Sequence, residues 1–112
     1  MKITSEQHDL HCTISLRGEL TKDEVDQFRK TMLDQMNEKI HDIVLDMSQV
    51  PFIDSQGLES LLWLQDQCLE RLGQMRLAAC GDDVKTILKI TRLSETIVSH
   101  PDIPAAVQSM QT

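Results

Sequence analysis

The sequence predicts a single α/β domain built on a mixed, mostly parallel sheet of about five strands, accompanied by about four helices. Three observations carry that prediction. Segments with helical periodicity recur between short apolar segments, the pattern of crossover connections. Ile43-Val44-Leu45 is a continuous apolar run, the mark of a central strand covered on both faces. The first two strand-like segments follow one another with no helix between them, so the sheet opens with a hairpin before it turns parallel. The 112 residues suffice for one core and not for two, so 1–112 is assigned to one domain.

The first strand, around residues 3–7, has few apolar residues and reads as an edge. In the second, Cys12, Ile14 and Leu16 alternate with Thr13, Ser15 and Arg17, the period of a sheet with one covered face. Gly18-Glu19-Leu20 then turns the chain into a helix. Thr21 and Glu24 have the spacing of a capping box, and Leu20 and Val25 that of a hydrophobic staple. Val25, Phe28, Met32 and Met36 form its apolar stripe, with Asp26, Arg29, Lys30 and Asp34 elsewhere.

After the Ile43-Val44-Leu45 strand, a connector over residues 46–53 leads into a second helix. Its stripe is Leu58, Leu61, Leu62, Cys68, Leu69 and Leu72, widened by Trp63 and Leu64, and Gly73 is placed as its stop. Met75, Leu77 and Ala79 alternate with Arg76, Ala78 and Cys80 as a fourth strand. Gly81-Asp82-Asp83 opens a third helix carrying Val84, Ile87 and Leu88. A short strand is expected near 96–98. The last helix opens near Pro101, a residue favoured at a first helical position, and buries Ile103, Ala106, Val107 and Met110.

Composition narrows the function. Hydrophobic residues make up 40% of the chain and charged residues 26%, as in an ordinary globular protein. With 18 Asp and Glu against 11 Lys and Arg there is no basic stripe to neutralise phosphates, which argues against nucleic acid as a direct partner. No apolar run approaches the roughly 20 residues needed to span a bilayer, and no secretory leader opens the chain. Cys12, Cys68 and Cys80 each fall among apolar neighbours, without a Cys-x-x-Cys pair, and read as buried thiols in a reducing cytoplasm. His8, His11, His41 and His100 have no mutual helical spacing, so no metal site is expected.

The most informative stretch is Ile53-Asp54-Ser55-Gln56-Gly57-Leu58, at the passage from strand to helix. If Asp54 is the N-cap, Ile53 and Leu58 fall at the two staple positions. If Ser55 were the cap, the pair would be Asp54 and Glu59, which repel. Asp54 is therefore expected to cap and Ser55 to occupy the first helical position with its hydroxyl toward solvent. Gly57 offers no side chain to obstruct an approaching partner. Three uses of that hydroxyl are open. Asp-Ser is a good helix start in itself, the simplest reading on local chemistry. A nucleophile is disfavoured, because there is no Gly-x-Ser-x-Gly elbow and no histidine follows before His100. A phosphate acceptor has a mechanism: about −1.5 to −2 charge added at a helix N-terminus that tolerates it, while a surface packed over the turn is repelled.

Nearly the whole chain resembles the STAS domain family, whose fold the prediction above matches. The resemblance rests on Gly18-Glu19-Leu20 after the second strand, Ile43-Val44-Leu45-Asp46 as the third, Val50, and above all Asp54-Ser55-x-Gly57-Leu58. For a stand-alone member it implies an anti-sigma factor antagonist that works by partner switching in signal transduction and transcription regulation. The unphosphorylated form binds an anti-sigma factor that is also a serine kinase of the histidine-kinase-like ATPase type, freeing the sigma factor. Phosphorylation at Ser55 breaks that complex, and a metal-dependent serine phosphatase restores it. The protein itself catalyses nothing, needs no cofactor and resides in the cytoplasm. The partner surface implied is Asp54, Ser55, Gln56 and Gly57, flanked by Glu19, Leu20 and Thr21.

Two positions depart from the family pattern. Thr21 stands where many members carry aspartate, and Gln56 replaces a small serine or threonine. The alternatives are a non-phosphorylated STAS subunit of a bacterial lipid-transport ABC complex and a STAS regulator with a non-sigma output. An enzyme of flavodoxin-like build is remote, since no glycine loop, dyad or metal cluster supports it.

Overall fold

The computed structural model describes residues 1–9, 11–36 and 40–110. Five strands, β1 (Lys2–Gln7), β2 (His11–Arg17), β3 (Asp42–Gln49), β4 (Met75–Ala78) and β5 (Ser99–His100), lie side by side in chain order. β1 is antiparallel to β2, and β2 through β5 are mutually parallel. The helices are α1 (Val25–Gln35), α2 (Ser55–Glu70), α3 (Asp82–Ile90) and α4 (Ile103–Met110).

The two-residue period of the strands decides which helix packs where. On one face Cys12, Ile14 and Leu16 of β2 join Ile43, Leu45 and Met47 of β3, and the inward stripes of α1, α2 and α3 close over them. On the other face Val44 and Ala78 pack beneath Ala106 of α4. Ile43, Val44 and Leu45 are all fully buried because β3, like β4 beside it, has helices above and below it along that run. β1 forms an edge, mostly exposed, as its polar sequence predicts.

Several boundaries differ from the sequence reading. β3 continues to Gln49, because Met47 keeps the inward alternation going, so the connector to α2 is only residues 50–54. The last strand lies at Ser99–His100 rather than 96–98, since a 3-10 turn, Leu93–Glu95, and the buried Ile97 occupy the earlier residues. α4 begins at Ile103, two residues beyond Pro101, where the Asp102 carboxylate accepts the Ala105 amide at 2.8 Å.

The stripe of α2 ends earlier than its leucines suggest. Leu58, Leu61, Leu64 and Cys68 are buried, but Leu69 and Leu72 are 56% and 96% exposed. The helix closes in a Schellman arrangement: the Gly73 amide donates to Cys68 and the Leu72 amide to Leu69, at 2.7 and 2.9 Å. The left-handed residue is Leu72 (φ 61°), not Gly73. Gly73 is needed for another reason, because a Cβ there would collide with the backbone of His41. An L-residue in the left-handed region costs about 1–2 kcal/mol, and the Leu72 side chain recovers almost nothing by burial. Leu72→Gly is expected to stabilise the fold by about 0.5–1 kcal/mol net of the extra unfolded-state freedom; a lowered urea midpoint would refute this.

Candidate functional site

The site lies at the carboxyl ends of β2 and β3, where their two connectors run side by side. The Leu20 amide donates to the Phe52 carbonyl at 3.0 Å and the Asp54 amide to the Leu20 carbonyl at 3.3 Å, forming a short parallel bridge between Leu20 and Ile53. Gly18, at φ 116°, makes the turn out of β2, and its amide reaches the Gln49 carbonyl at 3.0 Å. The start of α2 is thereby fixed against the segment that precedes α1.

Asp54 is the N-cap of α2, in extended conformation, as the staple argument requires. One carboxylate oxygen accepts the Gly57 amide at 2.8 Å. The other accepts the Lys22 amide at 2.9 Å, so the same side chain also serves the start of the turn that leads into α1. The Gly57 amide first, and then the Lys22 amide, hold the Asp54 carboxyl below its ordinary value. The depressed value has a defined consequence. Stability from this carboxylate is present above the unfolded carboxyl value of about 3.9 and is lost as pH falls through the lower folded value. Asp54 is expected to titrate below about 3.9, with protection of the Gly57 and Lys22 amides lost in the same range; carboxyl carbon shifts and amide exchange measure both. Titration at or above the ordinary value would mean that the double acceptance is absent in solution.

Ser55 is the first residue of α2 and is exposed. Its hydroxyl makes no hydrogen bond to any described residue, since Asp54 does the capping. Gln56 and Glu59 are exposed beside it, and Ile53 and Leu58, the staple pair, are both buried beneath. The later hydroxyl on the same helix, Ser60, is fully buried and donates to the Gly57 carbonyl at 2.6 Å. Only the first serine of α2 presents its hydroxyl to solvent.

Three expectations need correction. Gly57 is not an open contact surface: it is buried, and a Cβ there would strike the Leu20 carbonyl and approach Ile53 Cγ2 to 2.8 Å. Glycine is present to let α2 press against the neighbouring connector. Leu20 likewise is fully buried and supports the site from below, while Glu19 is exposed and Thr21 half-buried. The Thr21–Glu24 capping box does not form. The Glu24 amide is taken by the Thr21 carbonyl at 2.8 Å in the 3-10 turn Lys22–Glu24, and the Glu24 carboxylate pairs with the Met1 amino group at 3.1 Å.

Two participants were not legible beforehand. Lys22 contributes through its backbone amide, which no side-chain pattern marks. Phe52 lies three residues before Ser55 and is 44% exposed, an aromatic ring left on a connector at the edge of the site; the only available signal was its place in a loop beside Pro51. Among the described residues no group of three or more His, Cys, Asp or Glu side chains could hold a metal ion. No helix among them is long and apolar enough to cross a membrane.

A mixed five-stranded sheet, three helices on one face and one on the other, and a capped serine turn at the strand ends together define a single α/β domain of the STAS type. The chain belongs to the STAS domain family, whose profile it matches over residues 2–109. Its fold is shared with a candidate anti-sigma factor antagonist from Thermotoga maritima (21% identity, 98% of this chain and 95% of that one, TM-score 0.91). An anti-sigma factor antagonist from Mycobacterium paratuberculosis is similar at 21% identity, over 99% and 94% of the two chains, with a TM-score of 0.87. The Bacillus cell fate determinant SpoIIAA in its phosphorylated form is similar at 17% identity, over 96% and 99%, with a TM-score of 0.72.

Proposed function

We propose that the chain is an anti-sigma factor antagonist that works by partner switching, with Ser55 as its phosphate acceptor. The observation that carries this reading is the division of labour at the head of α2: Asp54 caps, leaving the Ser55 hydroxyl exposed and unengaged. A phosphoryl group there meets the positive end of a helix, so the domain tolerates it. A partner packed over Glu19, Thr21, Asp54, Ser55 and Gln56 would meet a new double charge beside the Asp54 carboxylate and be expelled. The unmodified form binds an anti-sigma factor with serine kinase activity of the histidine-kinase-like ATPase type, and a metal-dependent serine phosphatase resets the switch. In this reading the domain is a ligand for enzymes and not itself an enzyme, and it acts in the cytoplasm.

The test is a pull-down with unmodified protein, followed by incubation of the captured kinase with ATP and mass mapping of the phosphate. Phosphate on Ser55, absent in Ser55→Ala, is the expected result. Phosphate elsewhere, or capture of an ATP-binding transport subunit in place of a kinase, would replace this reading with the constitutive-subunit one.

A further inference from the structure

On the sheet face that carries α4, the corner formed by β1, the end of β2 (Ser15 and Arg17) and the end of β3 is not covered by any described helix. There a groove of about 330 Å³ is lined by Lys2 and Thr4 of β1, Ser15 and Arg17 of β2, and Asp46 and Ser48 of β3. The register places Lys2 directly opposite Arg17 and Thr4 directly opposite Ser15. Two like charges facing each other across antiparallel strands are destabilising. Neither cation has a carboxylate within ion-pairing distance or a side-chain hydrogen bond to a described residue. In a chain with a net charge of −7, acidic partners are plentiful, yet among the described residues none comes within ion-pairing distance of this pair, although one carboxylate lines the same groove. The carboxylate in the groove, Asp46, is turned to local use: one oxygen accepts the Ser48 amide at 3.0 Å and the other the Ser15 hydroxyl at 3.5 Å. The Thr4 and Ser48 hydroxyls make no hydrogen bond to a described residue and can donate into the groove.

We propose that this groove binds a tetrahedral oxyanion, either free phosphate or the phosphate end of a small metabolite, between Lys2 and Arg17. The planar fork of arginine matches two oxygens of such a group, and lysine adds a point charge. The bound anion would relieve the cross-strand repulsion that the free protein carries. The groove exceeds a phosphate ion in size and reaches the lower end of small-molecule sites, so an ester has room. This site is independent of Ser55: it is built from strand residues on one face of the sheet, not from the head of α2.

The test follows backbone amide shifts of the labelled protein during titration with inorganic phosphate and, in parallel, glycerol 3-phosphate, to about 50 mM with sodium chloride holding the ionic strength constant. Saturable shifts centred on Lys2, Thr4, Arg17 and Ser48 are expected, weakened at least about tenfold by Arg17→Gln, with Lys2→Gln as the second variant. Tighter binding of the ester assigns the site to a metabolite, and equal binding to the free anion. Both cations are exposed, so the variants should keep the parent spectrum elsewhere. Linear, unsaturated shifts, shifts confined to the head of α2, or unchanged binding in both variants would overturn the proposal.

Discussion

Gly57→Ala is expected to destabilise the fold by about 2 kcal/mol or more, although alanine is the better helix former by about 1 kcal/mol. The added methyl has nowhere to go. It would overlap the Leu20 carbonyl, which is backbone and already holds the Asp54 amide, and it would crowd Ile53 from the other side. Relief requires the head of α2 to lift away from the β2–α1 connector, which also draws Asp54 off the Lys22 amide. The loss should therefore appear in the urea midpoint and in faster exchange of the Lys22 amide together. A midpoint equal to or above the parent's would show that α2 stands clear of that carbonyl in solution.

Ser55→Asp is expected to weaken binding of the proposed kinase partner by at least about 1.4 kcal/mol, the tenfold step, with folding stability unchanged within about 0.5 kcal/mol. The two halves of this prediction rest on different observations. The side chain is exposed and unengaged, so the fold loses nothing by its replacement. The negative charge arrives at a helix N-terminus, which favours it, but next to a second carboxylate under the proposed partner interface, which does not. Ser55→Ala, which keeps the surface neutral, should bind like the parent and lock the switch on. Undiminished binding by the aspartate variant, with a phosphorylated sample also bound, would remove charge as the mechanism. A large stability loss in either variant would mean that the hydroxyl has a structural partner after all.

The order of elements, the opening hairpin and the capping role of Asp54 were legible because each is a local matter of periodicity, charge and staple spacing, whereas the neighbours of β3, β4 and β5 in the sheet were not. Ile53 and Leu58 are close in sequence, and their joint burial follows from a single helix start. What was not legible depends on residues distant in the chain. Gly57 looks like an accommodation to an outside partner until the Leu20 carbonyl is found against it. Gly73 looks like a left-handed stop, but the crowding comes from His41, and the unusual backbone falls on Leu72. Thr21 and Glu24 have the letters of a capping box, yet the turn closes through its own backbone and Glu24 is drawn to the Met1 amine. Leu69 and Leu72 keep the helical period after the sheet beneath them has ended, and period alone cannot reveal where a neighbour stops.

The shared carboxylate of Asp54 has a bearing on how the chain assembles. The Lys22 amide that it receives lies 32 residues upstream, in a strand-turn-helix unit that leaves the ribosome first. That earlier unit cannot finish its own lead-in until the later one docks, so neither half matures alone. Pulse-labelling during refolding should therefore find the Lys22 and Gly57 amides acquiring protection in a single phase, late and together.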